Sequence, residues 1–162
     1  MYRMMRRCLL VSGLLAMVII ARAQNSSYIN NHKFIATVLS NYYGIPAPVI
    51  LSIATIESSG GEGPAAKVLN NHFGIEGENY IVNRRGHKSR YKQYSNEISS
   101  YIDFCKLVTH KRFYNRLKDN DDCRLWVKAL SHAGYSELPE QWEQKVMSVL
   151  DRIEHESDVA SR

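Results

Sequence analysis

The sequence predicts an α+β domain that is mostly α, and three observations carry that prediction. Apolar residues recur at helical spacing through most of the chain after residue 23. One stretch, residues 78–94, breaks the pattern with Tyr80, Ile81 and Val82 before Asn83–Gly86 and Tyr91 and Tyr94 after it, which predicts a small β-hairpin. No repeat and no long linker divides the rest, so one domain with one core is expected.

The first residues are expected to lie outside that domain. Arg3, Arg6 and Arg7 precede a run of 13 residues, Cys8 to Ile20, that is almost wholly apolar. Ala21-Arg22-Ala23 then offers small residues where a signal peptidase cuts, so residues 1–23 read as a signal peptide and Gln24 as the mature start. The run is shorter than the roughly 20 residues that span a bilayer as a helix. Removing this segment takes away four of the 21 basic residues and no acid, leaving 17 bases against 16 acids. The basic precursor is thus poor evidence for nucleic-acid binding, and no nucleic-acid partner and no membrane contact after cleavage are expected.

The elements follow in order. Ser26 or Ser27 can cap a first helix from about Tyr28, with Ile29, Phe34, Ile35, Val38 and Leu39 as its stripe and Gly44 as its stop. Pro46 and Pro48 suit the opening turn of a second helix, where the missing amide donor costs nothing. That helix runs to about Ser58 and is apolar nearly all round, which marks it as central and buried. Gly60, Gly61, Gly63 and Pro64 break it, and a short helix through Ala65–Leu69 follows. After the hairpin, Ser95 or Asn96 caps a long helix with Ile98, Tyr101, Ile102, Cys105 and Leu107–Val108 on its apolar face. Phe113–Leu117 and Cys123–His132 form two more, with Gly134 ending the second. Pro139 opens the last helix, where Trp142, Val146, Val149, Leu150 and Ile153 recur. The domain is placed at 24–155, with 156–162 as a flexible polar tail. Cys105 and Cys123 fit either a disulfide or two buried thiols. The histidines lack ligand spacing along the chain, so neither a metal site nor a cofactor is expected.

Glu57 stands out. With Ile50 and Ile53 it shares one face of the second helix, so a carboxylate sits among core side chains. Desolvation disfavours its charged form, and so does the negative end of the helix dipole. A carboxyl kept protonated near neutral pH suits general acid catalysis. A plain polar helix end, or a partner for a buried basic group, fits the same spacing.

Four segments in order add to this: PAPVILSIATIESSG at 46–60, NNHFGI at 70–75, YSNEISSYIDF at 94–104 and WVKALSHAGY at 126–135. Together they resemble the glucosaminidase family of bacterial cell-wall hydrolases (glycoside hydrolase family 73), over about residues 28–154. The resemblance implies a lysozyme-like fold, with a cleft between a helical lobe and a small β-hairpin. Together with the signal peptide expected at residues 1–23, it points to an exported bacterial enzyme of the periplasm, cell envelope or extracellular space, acting as a monomer on peptidoglycan strands. The reaction implied is hydrolysis of the β-1,4 bond after N-acetylglucosamine. It places the catalytic acid on Glu57 and an active-site tyrosine on Tyr135, with Asn71, His72, Phe73 and Tyr101 as substrate-binding residues.

Two features depart from the family. Two-carboxylate glycosidases need a second acid about 5–9.5 Å from the first, and relatives carry a candidate on the hairpin, whereas residues 79–96 contain no Asp or Glu. Glu76, Glu78, Glu97, Asp103 or the substrate's own acetamido group remain as candidates. Phe104 stands where relatives commonly have a histidine. A lytic transglycosylase or muramidase, or a wall-binding protein of weak activity, fits the same residues.

Overall fold

The computed structural model describes residues 24–82 and 88–160. The expected signal peptide, the hairpin tip and the last two residues lie outside this range. The described chain is an assembly of helices: α1 (24–43), α2 (Ala47–Glu57), α3 (Pro64–Leu69), α4 (Glu97–Thr109), α5 (Tyr114–Leu117), α6 (Cys123–His132) and α7 (Pro139–Ala160).

Helix α2 is the axis of the fold, because it has no polar face to give to solvent. Every residue from Val49 to Thr55 is buried. Its two buried hydroxyls are satisfied within the helix, Ser52 Oγ donating to the Pro48 carbonyl at 2.6 Å and Thr55 Oγ1 to that of Leu51 at 2.7 Å. Helix α7 packs along α2, and α6 packs against both. The apolar stripes meet in one core that includes Ile50, Ile53, Phe104, Trp126, Val146 and Leu150.

Start and stop signals mostly act as the sequence predicts. Asn96 caps α4 by accepting from Ser99 N at 2.9 Å, and Asp122 caps α6 by accepting from Arg124 N and Leu125 N at 3.0 and 3.1 Å. Ser26 and Ser27 do not act as caps, because both lie inside α1. Helix α7 continues past His155 to Ala160, with residues 156–159 exposed along it. Cys105 and Cys123 are free buried thiols rather than a disulfide.

The β-hairpin requires correction. Among the described residues no strand forms; two isolated antiparallel bridges, Glu76 with Tyr91 and Val82 with Lys88, take its place. The reason lies in the side chains between them. Asn79 Nδ2 donates to the carbonyls of Ser89 and Tyr91 at 2.5 and 2.8 Å, and Gln93 Oε1 accepts from Tyr80 N at 3.1 Å. Amide side chains thus occupy backbone groups that a ladder would pair. The described arms, 76–82 and 88–93, form a flap held by these side chains and by isolated backbone bonds, Gly77 N to the Arg90 carbonyl and Gln93 N to that of Glu78, each 3.0 Å.

Candidate active site

Glu57 is the last residue of α2, and its position follows from how that helix ends. Ser59, Gly60 and Gly61 take φ of 53°, 64° and 84°, so the chain turns sharply away. A Cβ on Gly60 would lie 2.6 Å from Asn25 Oδ1, and one on Gly61 3.0 Å from the Tyr28 ring. The turn therefore seats directly on α1, leaving the Glu57 side chain free to face the other way.

There it lines a cleft of about 1030 Å³ together with Phe73, Gly74, Glu76, Tyr135 and Trp142, among others. Trp142 Nε1 donates to Glu57 Oε1 at 2.6 Å. Burial pushes the Glu57 carboxyl above its ordinary value of 4.5, opposed by the Trp142 hydrogen bond and the positive charge of Lys145. The net direction is upward. Gly74, at φ 64°, comes close enough that a Cβ would sit 3.5 Å from Glu57 Oε2. A side chain there would cover the acid.

Tyr135 follows the Gly134 stop of α6 and points into the same cleft. Its hydroxyl donates to the Phe73 carbonyl at 3.2 Å, and its ring lies 5.1 Å from that of Trp142. Burial, reinforced by the nearby Glu57 charge, raises its pKa well above 10.0, so it stays a neutral phenol. Beneath the cleft, Phe73 stacks on Phe104 at 4.2 Å and meets Tyr101 edge-on at 4.8 Å. The Phe104 position thus supplies a packing surface with no titratable group.

The structure brings Glu57, Tyr135 and Phe73 to one cleft. Asn71, His72 and Tyr101 lie behind it. Asn71, fully buried, is the hub of the cleft wall: Oδ1 accepts from Phe73 N and Ile75 N at 3.3 and 3.1 Å, while Nδ2 donates to the Ile75 and Lys92 carbonyls at 2.8 Å each. His72 Nδ1 lies 2.6 Å from the Tyr28 hydroxyl, which is 2.7 Å from that of Tyr101.

The candidates for a second acid separate clearly. Glu76 lines the cleft and pairs with Arg90, Oε1 to Nε 3.2 Å. Asp103 is committed elsewhere: burial works against its ionisation, yet hydrogen bonds from Lys92 Nζ and Tyr94 Oη, each 2.7 Å, outweigh it and hold its carboxyl below 3.8. Glu97 faces His32 and His72, and Glu78 is exposed outside the cleft. Sequence reasoning missed several cleft residues, among them Trp142, hidden in the apolar stripe of α7, and Glu137 and Lys145, which look like ordinary surface charges. No local pattern marks the last two. Chemically, the cleft can present a proton from a half-buried carboxyl to a bound ligand, over an aromatic floor, with a second carboxylate in reach of the same space.

The comparisons with known proteins bear on the family and the fold. The family model described as mannosyl-glycoprotein endo-beta-N-acetylglucosaminidase matches residues 33–155. The glycoside hydrolase domain of FlgJ from Salmonella typhimurium has a similar fold, with a TM-score of 0.68 and 21% identity, covering 85% of this chain and 92% of that one. The catalytic domain of the autolysin Auto from Listeria monocytogenes is similar at a TM-score of 0.65 and 16% identity, covering 80% and 84%. A peptidoglycan hydrolase from Sphingomonas sp. A1 is similar at a TM-score of 0.61 and 19% identity, covering 76% and 86%. No curated protein sequence matches.

Proposed function

Since the chain belongs to the glucosaminidase family of glycoside hydrolases, we propose that it cleaves the β-1,4 bond after N-acetylglucosamine in peptidoglycan, with Glu57 as general acid. The observation that carries this reading is the half-buried Glu57 carboxyl, whose pKa is raised by burial inside the cleft. A protonated carboxyl can donate to the glycosidic oxygen as the bond to the anomeric carbon breaks. The carboxylate left behind is held by the Trp142 N–H and the Lys145 charge, the two features that already oppose the pKa rise. Water then attacks the anomeric carbon, and its proton returns to the site.

Glu76 and Glu137 share the cleft with Glu57 and are the carboxylates available to activate that water. Glu76 would first have to leave Arg90. The substrate's acetamido group is the other route, since it can replace a protein nucleophile in some glycosidases. Tyr135, a neutral phenol beside Glu57, orients the sugar, and Phe73, buried and stacked on Phe104, supports the floor beneath it. Asn71 and Tyr101 act from behind, by fixing the wall that carries Phe73 and Gly74. No helix among the described residues is long and apolar enough to cross a membrane. Export to the cell envelope, led by residues 1–23, is part of the same proposal and rests on the sequence.

Mass spectrometry of purified peptidoglycan after digestion tests the reading. Reducing-end N-acetylglucosamine is expected; anhydro-muramyl ends would instead identify a lytic transglycosylase. Glu57→Gln should lower the rate by about 10²- to 10⁴-fold, the usual worth of a general acid. Digestion by that variant at the wild-type rate would remove Glu57 from the chemistry.

A further inference from the structure

A second cluster of functional side chains lies away from the cleft. His32 on α1, His72 in the loop after α3 and Glu97 at the start of α4 each bring one donor atom within 4.8 Å of the others. They line a separate cavity of about 490 Å³ that shares no residue with the catalytic cleft.

The hydrogen bonds fix which atoms face each other. His32 Nδ1 lies 2.8 Å from the Tyr28 carbonyl, which can only accept, so Nδ1 carries the proton. In the neutral ring, Nε2 then presents a lone pair to Glu97 Oε2, 3.3 Å away. His72 Nε2 lies 3.8 Å from the same oxygen, and its Nδ1 is engaged by the Tyr28 hydroxyl. Both Nε2 atoms thus converge on one carboxylate oxygen, an arrangement that a proton or a shared cation can hold together.

We propose that His32, His72 and Glu97 form a binding site for a divalent transition-metal ion of the Zn²⁺ type. Zinc holds imidazole nitrogen and carboxylate oxygen at about 2.0–2.2 Å in a tetrahedron, which sets ligand atoms roughly 3.3–3.5 Å apart. The two nitrogen–oxygen separations, 3.3 and 3.8 Å, are close to this spacing, and all three atoms lie within 4.8 Å of one another, so the rings would draw together around the ion. The outer partners also suit a metal site. Ligating histidines ordinarily give their second nitrogen to a carbonyl or another polar group; here Tyr28 supplies its carbonyl to one ring and its hydroxyl to the other. Glu97 is half exposed, its side chain at 53% of full accessibility, so an ion can enter and water can fill the fourth position. The ligands come from three segments distant in sequence, so the ion fastens α1, the 70–75 loop and α4 together. That loop carries Phe73 and Gly74 on its cleft side, so the role is structural, and it does not depend on how the cleft acts.

The test is calorimetric titration of chelator-treated full-length protein with ZnCl2, alongside thermal melting with and without the metal. One ion should bind the wild type and raise its Tm, because a ligand that binds only the folded state stabilises it. Glu97→Gln, an exposed and isosteric change, should weaken binding at least tenfold, and His32→Gln should abolish the Tm shift. Absence of binding to the wild type would overturn the proposal. So would equal binding by the wild type and Glu97→Gln, which would assign the zinc to other surface histidines.

Discussion

Trp142→Phe isolates one hydrogen bond in the cleft. Trp142 is buried, and its indole N–H meets Glu57 Oε1 at 2.6 Å while its ring packs against Tyr135. Phenylalanine keeps an aromatic ring in that space and removes the donor. A hydrogen bond to a charged group is worth about 1.5–3 kcal/mol, and here it favours the ionised carboxyl over the protonated one. Two consequences follow with fixed signs. Burial then acts with less opposition, so Glu57 keeps its proton to higher pH. The carboxylate formed on proton donation loses the same support, so the plateau rate falls by up to about 10- to 150-fold, at 1.36 kcal/mol per factor of ten. The assay is kcat/KM on labelled peptidoglycan across pH, with circular dichroism melts to register any packing loss. The plateau should drop, and the limb on which activity disappears with rising pH should move upward. A lower plateau with that limb unmoved would mean that Trp142 serves packing alone, and a downward movement would refute the electrostatic argument.

Other perturbations have equally definite signs. Gly74→Ala puts a Cβ on a left-handed backbone position 3.5 Å from Glu57 Oε2; about 1–2 kcal/mol of stability and most of the activity should be lost, as read by melting and wall digestion. Asn71→Ala removes four hydrogen bonds at a fully buried site. At about 1–3 kcal/mol for each buried group left unpaired, urea denaturation should show a loss above about 3 kcal/mol. Glu57→Gln should change how stability depends on pH. The folded carboxyl holds its proton more tightly than the unfolded one, so its contribution is complete below the ordinary value of 4.5 and fades as pH rises through the higher folded value. The variant should therefore gain on the wild type over that window and be the more stable near neutrality; parallel stability curves would contradict this.

Much of the fold was legible because its signals are local. Pro46, Pro48 and the glycines after Glu57 bracket a helix with no polar face, and such a helix has nowhere to go but the centre. The family segments added Tyr135 and Phe73 to the same cleft. What escaped depends on contacts across the chain. Trp142 shows only an apolar face in sequence, and its N–H gains meaning once α7 lies along α2. His32, His72 and Glu97 have no ligand spacing, since tertiary packing alone brings them together. The expected hairpin did not form as a ladder for a related reason: β-prone residues on either side of Asn83–Gly86 were visible, but not that Asn79 and Gln93 would take backbone partners of a ladder. Composition speaks of preference, and pairing is a statement about which acceptor reaches a donor first.

The amide clamps have a chemical corollary. Asn71 and Asn79 hold the flap and the cleft wall through Nδ2 groups, each facing two carbonyl oxygens. Hydrolysis of either side-chain amide to the acid replaces one nitrogen by oxygen and hardly changes the shape. It nevertheless turns a double donor into an acceptor confronting two acceptors, and repulsion takes the place of two bonds. The lifetime of the cleft wall is therefore tied to the persistence of two carbon–nitrogen bonds, and an aged molecule would lose its flap while its helices stayed whole.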